Sequence, residues 1–193
     1  MFQPLYMGTN HMLGVDNYVP LTTNNFEIKI FNTGANSGGV SGPMKTLTLS
    51  TAEIGEIAEE QDVITVHYGN GQIKFPSKVS FSDVDWTLNC YATPDTLGSL
   101  IDWRKEVYNP DTELMGLPTQ YMRTAYFIRY TGNGQLAYAL KAPGVWCRSL
   151  KYGAMNQEGG QIVQVSVTLV ISKAIYMSAR DMSVTGVTEG SLT

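Results

Sequence analysis

Histidine and cysteine are nearly missing. His11, His67, Cys90 and Cys147 are the full set in 193 residues, and they show none of the clustered spacing that metal ligands need. There is no Gly-x-Ser-x-Gly elbow, phosphate loop, dinucleotide fingerprint or His-Glu-x-x-His. His67 has no partner motif and reads as a surface or sheet-edge residue. Asp83 and Asp85 share a strand face, but solvation near a turn explains them better than a catalytic carboxylate pair. The chain is therefore read as not an enzyme, with no catalytic residue, no metal and no cofactor.

Charge is also sparse. Charged residues make up 16%, the net charge is −4 and the pI is near 5.1. That balance excludes a surface built to grip nucleic acid, which is usually basic. It suits a surface to which nucleic acid must not stick. No apolar run approaches the roughly 20 residues of a membrane helix. The start, MFQPLYMGTN, has neither the basic residues nor the apolar core of a signal peptide, so no membrane insertion is expected. Cys90 and Cys147 each fall in a strand pattern, and sequence leaves open whether they are free thiols or a disulfide.

What is present is β pattern and turn. Nineteen glycines fit a turn-rich β chain of one domain. Phe26, Ile28 and Ile30 alternate with Glu27 and Lys29 as a first strand, residues 32–43 form a loop, and 44–50 alternate again. Residues 51–62 carry Glu53, Glu56, Glu59, Glu60 and Asp62 and read as an acidic surface loop, with a short helix as the other option. Val63–Tyr68 and Ile73–Phe75 flank Gly69-Asn70-Gly71, a hairpin signal. A long strand then runs over 79–91. Val84, Trp86, Leu88 and Cys90 share one face, and a phase change after Phe81 predicts a β-bulge near Ser82–Asp83.

One short helix follows. Thr93 is its predicted N-cap and Pro94 its first position. Leu97, Leu100, Ile101, Val107 and Tyr108 make the apolar stripe, and Asn109-Pro110 the stop. A lone helix in a β chain is expected to plug the open end of a sandwich or barrel. Residues 111–121 form a compact loop, and 126–130 pairs with 136–140 around Gly132-Asn133-Gly134. Pro143-Gly144 turns the chain, and 153–160 is loop. The last strand, 162–175, sets Val163, Val165, Val167, Leu169 and Ile171 on one face. The aromatic and basic residues interleaved at Tyr126–Tyr130 and Trp146–Arg148 read as strand packing, because the basic residues are isolated.

Residues 1–25 form an N-terminal arm and 177–193 a C-terminal tail, both without a core pattern, around a domain at 26–176. A β-rich core with coreless arms suggests a chain made for assembly.

The ordered motifs NFEIKI (25–30), DVDWTLNCY (83–91), IDWR (101–104), GVW (144–146) and VQVSVTLVI (163–171) resemble those of tail tube proteins of contractile-tailed bacteriophages. The resemblance spans about Asn25–Tyr176. It implies a mainly β, sandwich- or barrel-like subunit with one short helix. Six such subunits would form a ring whose sheets join into one continuous inner β-barrel, and rings would stack into a hollow tube that conducts the genome from capsid to host. It further implies a sheath protein outside, a tape measure protein and then double-stranded DNA in the lumen, and a baseplate and tail terminator at the ends. The location would be the virion tail, assembled in the host cytoplasm. The N-terminal arm and the tail after Tyr176 depart from the family pattern. The alternatives are an inner tube of a phage-related bacterial injection system and a β-barrel small-ligand-binding protein or hydrolase.

In that family the hairpin corresponding to Ser50–Lys78 touches the next ring. Ring stacking is therefore expected at Glu53, Ile54, Glu56, Ile57, Glu59, Glu60, Asn70, Ile73 and Phe75, with Ile54, Ile57, Ile73 and Phe75 as an exposed apolar patch. The lumen wall is expected to carry more acidic and small polar side chains than Lys and Arg.

Overall fold

The structure, a computed structural model, describes residues 21–31, 44–132, 134–153 and 160–178. The expectations for most of the N-terminal arm (1–20), the 32–43 loop, Asn133, loop residues 154–159 and the tail from 179 lie outside the described residues.

Strand order follows from where the apolar residues fall. β1 (Phe26–Phe31), β8 (Arg123–Tyr130), β9 (Leu136–Lys151) and β11 (Ile175–Ser178) pair antiparallel into one sheet. β10 (Gln164–Val170) pairs with the far half of β9, then come β5 (Val84–Asn89) and β2 (Thr51–Ile54), all antiparallel. β9, 16 residues long, thus belongs to both sheets. The inner faces meet in one core: Ile28, Ile30, Ala125, Phe127 and Ala142 from the first, and Val84, Trp86, Leu88, Val165, Val167 and Leu169 from the second. Alternation along each strand puts these residues on one side, and burying them is the main driving force for the sandwich.

Pro143-Gly144 does not turn the chain. The two residues face the single Thr124 of β8, a bulge of one extra residue in β9 where the register jumps from Ala125↔Ala142 to Arg123↔Val145. Gly144 takes φ +79, a backbone state open to glycine, and lets one strand pass from one sheet to the other.

The single strand expected over 79–91 is two strands. β4 (Gly71–Phe81) ends where β5 has not yet begun, and the two lie in different sheets. The phase change at Ser82–Asp83 marks this crossing rather than a bulge. Two positions also correct the predicted core: Val163 is 48% exposed, ahead of the first β10 residue, and Cys90 is half-buried. Tail residues Met177 and Ser178 continue β11 against Ala139 and Tyr138.

Three helices, not one, lie among the described residues: α1 (Lys45–Ser50), α2 (Thr96–Val107) and α3 (Pro118–Tyr121). α1 replaces the strand expected at 44–50. Leu47 is buried while Leu49 is exposed, so alternation there did not reflect two strand faces. The Ser50 and Thr51 hydroxyls donate back to the Thr46 and Leu47 carbonyls, holding the short turn closed. Thr51 Oγ1 also accepts from Trp86 Nε1, which ties α1 to the core.

α2 starts two residues later than predicted. Its N-cap is Asp95, whose carboxylate accepts from the Gly98 amide at 2.8 Å; Thr93 lies outside the helix. Its buried stripe is Thr96, Leu100, Trp103 and Val107, with Leu97 packed at its edge. Trp103 Nε1 donates to the Tyr121 carbonyl, fixing α3 on α2. Leu100 is fully buried, so Leu100→Ala is expected to cost about 2–5 kcal/mol by deleting apolar contact and leaving a cavity. Denaturant titration measures the cost; a loss within experimental error would mean that the helix does not seal the sandwich.

Beneath α2 lies Arg123, 3% exposed. Its guanidinium donates to Glu106 at 2.7 Å, lies 4.9 Å from the Trp103 ring centre and reaches the Met44 sulfur. One buried cation thereby joins β8, α2 and the start of α1.

Candidate assembly interface

β3 (Glu59–Tyr68) and β4 pair with each other and, among the described residues, with no other strand. The hairpin is inserted between β2 and β5, and its root is clamped. Ser82 N donates to the Ala58 carbonyl and Ala58 N to Ser82 Oγ, both at 3.0 Å, while Gly55 N donates to the Asp85 carbonyl at 2.7 Å. Phe81 and Ile57 pack on the core. Beyond that root every β3 residue is exposed, and so is every β4 residue up to Pro76.

Register sorts the distal ribbon into two faces. Ile64 opposes Phe75 and Val66 opposes Ile73, with Tyr68 next along, so these five side chains share one face. They are 53, 48, 47, 51 and 80% exposed in the order named, Ile64, Phe75, Val66, Ile73, Tyr68. The other face carries Val63, Thr65, His67, Gln72, Lys74 and Pro76 and is more polar. An isolated two-stranded hairpin is marginal in water, and a ribbon with one bare apolar face is a surface that waits for a partner.

The predicted stacking residues divide between arm and root. Glu59, Glu60, Asn70, Ile73 and Phe75 lie exposed on the arm. Glu53 and Glu56 are exposed beside its base. Ile54 and Ile57, expected in the bare patch, are instead half-buried against the core, because Thr51–Ile54 is an edge strand on β5 rather than part of an acidic loop. The acidic run itself divides: Glu53 is in β2, and Glu59–Asp62 open β3. Ile64, Val66 and Tyr68 were missed, although the alternation over 63–68 carried their signal.

A second surface is the open face of β2, β5, β10 and the far half of β9. Cross-strand rows Asn89–Gln164, Thr87–Ser166–Lys151 and Asp85–Thr168–Ser149 cover it. Ser149 Oγ and Thr168 Oγ1 are 2.9 Å apart, Thr168 Oγ1 donates to Asp85 Oδ1 at 2.9 Å, and Gln164 donates to Asn89. Arg148 is paired with Asp83. The wall thus carries mostly small polar groups, several of them bonded to one another, with Lys151 exposed at one end of a row.

Neither cysteine is bonded. Burial pushes the Cys147 thiol up to about 11, against the opposing pull of the Arg104 charge, so it is an unreactive core group at neutral pH. Burial and the nearby Asp95 charge raise Cys90 as well. Among the described residues no three His, Cys, Asp or Glu side chains gather as metal ligands, and no helix is long and apolar enough to cross a membrane.

No protein-family model matches the chain, and no curated protein matches it in sequence. Solved structures do match in shape. The PVC sheath/tube terminator of an extracellular contractile injection system is 11% identical, with a TM-score of 0.61 over 82% of this chain and 97% of that one. A chain of the PVC sheath–tube complex is 14% identical, with a TM-score of 0.60 over 90% and 99%. The SPP1 tail tube is 14% identical, with a TM-score of 0.54 over 90% and 88%. The mainly β sandwich with its flanking helix is the fold of phage tail tube and injection-system tube proteins.

Proposed function

We propose that this chain is a structural subunit of a bacteriophage tail tube: six copies close a ring, and rings stack into a hollow tube that conducts the genome. The observation that carries the reading is the unsupported β3–β4 ribbon on a tube-protein fold, because a subunit that stacks needs such an arm and a free monomer does not. The stacking contact is assigned to Ile64, Val66, Tyr68, Ile73 and Phe75, with Glu53, Glu56, Glu59, Glu60 and Asn70 around them. Edge-to-edge pairing around the ring would leave no sheet edge bare.

The hydroxyl- and amide-coated face of β5 and β10 is assigned to the lumen. Several of its groups bond to one another and Arg148 is neutralised by Asp83, which leaves Lys151 as the exposed cation without an ion pair on it among the described residues, so phosphate meets few free donors. A sheath would lie outside, a tape measure protein and then double-stranded DNA inside, and a baseplate and terminator at the ends of the tube. The virion tail is the corresponding location, with assembly in the host cytoplasm. An inner tube of a bacterial injection system has the same architecture and differs in cargo; the injection-system likenesses favour it equally on shape.

Electron microscopy of the purified protein is expected to show rings or hollow tubes of stacked rings. A compact monomer at all concentrations by size exclusion would overturn the assignment and favour a ligand-binding barrel.

A further inference from the structure

The sandwich is open at one end. Between β2 with residues 55–57 on one side, and β1, β8 and β9 on the other, lies a groove of about 890 Å³. Phe26, Tyr138 and Leu140 form one wall, and Ala52, Ile54 and Ile57 the other. Glu53 and Glu56 stand exposed on its rim.

We infer that this groove receives the apolar face of the β3–β4 ribbon from a second copy of the chain. The inference rests on the stacking role proposed for the ribbon and names the surface that accepts it. Three observations point to that occupant. The ribbon presents one row of aliphatic and aromatic side chains, and the groove offers aliphatic and aromatic side chains on both walls among polar ones, Glu27 and Arg129 included. Charge agrees at the rim: Lys74, on the outer face of a seated ribbon, and Lys78, nearer its root, are exposed along β4 with no ion pair of their own among the described residues, and Glu53 and Glu56 line the receiving rim.

Geometry excludes the chain's own ribbon. Residues 55–57 are a wall of the groove and lead directly into β3. From there the ladder is paired from Glu59↔Phe81 to Tyr68↔Gly71, which carries the tip about 30 Å away. To enter its own groove the ribbon would have to fold back and break that ladder. A neighbour's ribbon needs no such break. Each copy then gives one arm and receives one, a head-to-tail contact that repeats without closing.

The test mixes two variants, Val66→Cys and Ala52→Cys, each on a Cys90→Ser background that keeps only the buried Cys147, and oxidises the assembled sample mildly. The expected result is conversion of up to about half of the 21.2 kDa band to a product of twice that mass, with the 66–52 disulfide found by peptide mapping, in the equal mixture and in neither variant alone. Leu114→Cys, on an exposed surface elsewhere, replaces Ala52→Cys as the control. Tubes that form without the 66–52 link, or that link Val66→Cys to Leu114→Cys instead, overturn the inference and leave the tube reading intact. An occupant from the chain's first twenty residues would give that same missing link. Wild-type protein that stays monomeric overturns both.

If the cysteine variants do not assemble, wild-type tubes built from equal parts of normal and ¹⁵N-labelled chain are treated with a carbodiimide. Mixed-isotope links from Lys74 or Lys78 to Glu53 or Glu56 support the groove, and links confined to one isotope overturn it.

Discussion

Replacing residues 63–78 by two glycines will give a soluble, folded subunit that no longer stacks into tubes. The deletion removes no residue of the core. It leaves the Ala58–Ser82 clamp and the Gln61↔Val79 pairing in place, so thermal unfolding should stay close to that of the unassembled parent chain. What disappears is the apolar face. Four side chains about half exposed, and Tyr68, 80% exposed, would each bury the remainder of their area on docking. At 1.5–3 kcal/mol for complete burial of such a side chain, this amounts to roughly 4–8 kcal/mol per arm before the cost of association. A stack held by one such contact per subunit cannot lose it and persist at micromolar concentrations. Microscopy and sedimentation decide: tubes of normal length from the deleted chain would show that the ribbon does not hold rings together.

Glu106→Gln should destabilise the subunit by about 3 kcal/mol, at the lower end of the range for removing one member of a buried ion pair, because Glu106 itself keeps 25% exposure. Arg123 would remain 3% exposed with its counter-charge gone, and its Nε already lacks a hydrogen-bond partner. The Trp103 ring and the Met44 sulfur would be its main remaining contacts. Replacing both members, Arg123→Met with Glu106→Leu, should recover most of the loss, since apolar groups of similar volume need no counter-ion. A double-mutant cycle in urea measures the coupling. If the single substitution costs nothing, α2 is held by its Leu100–Trp103 stripe alone.

The sandwich itself was legible in the sequence where one face of a strand is dry. Val84, Trp86 and Leu88, and Val165, Val167 and Leu169, alternate with polar residues and lie in the core. Two kinds of feature were not legible. Leu47 and Leu49 alternate as a strand would, yet one hydroxyl-closed turn satisfies the backbone locally and buries Leu47 from a helix. The phase change at Ser82–Asp83 has the same sequence signature whether a strand bulges or leaves its sheet; only pairing partners 24 residues apart, Ala58 and Ser82, distinguish the two. For the interface, the hairpin turn at Asn70-Gly71 was visible but the extent of the arm was not. Ile54 and Ile73 are equally apolar. What separates them is whether the flanking strand continues a sheet or departs from one, and no local pattern encodes that.

The pairing of β1 with β8 sets an order of events during synthesis. Phe26 must wait for Arg129, 103 positions later, which at 5–20 residues per second takes about 5–20 s. Asn70 and its flanking strands need no such wait, because β3 and β4 are neighbours in sequence and a hairpin closes in about microseconds. The arm thus matures on the nascent chain before the body that carries it. On the stacking proposed above, newly made copies on one message would expose adhesive ribbons before the grooves that accept them exist. Timing would then hold off premature polymerisation: the groove walls supplied by β8 and β9 form only when those strands have left the ribosome.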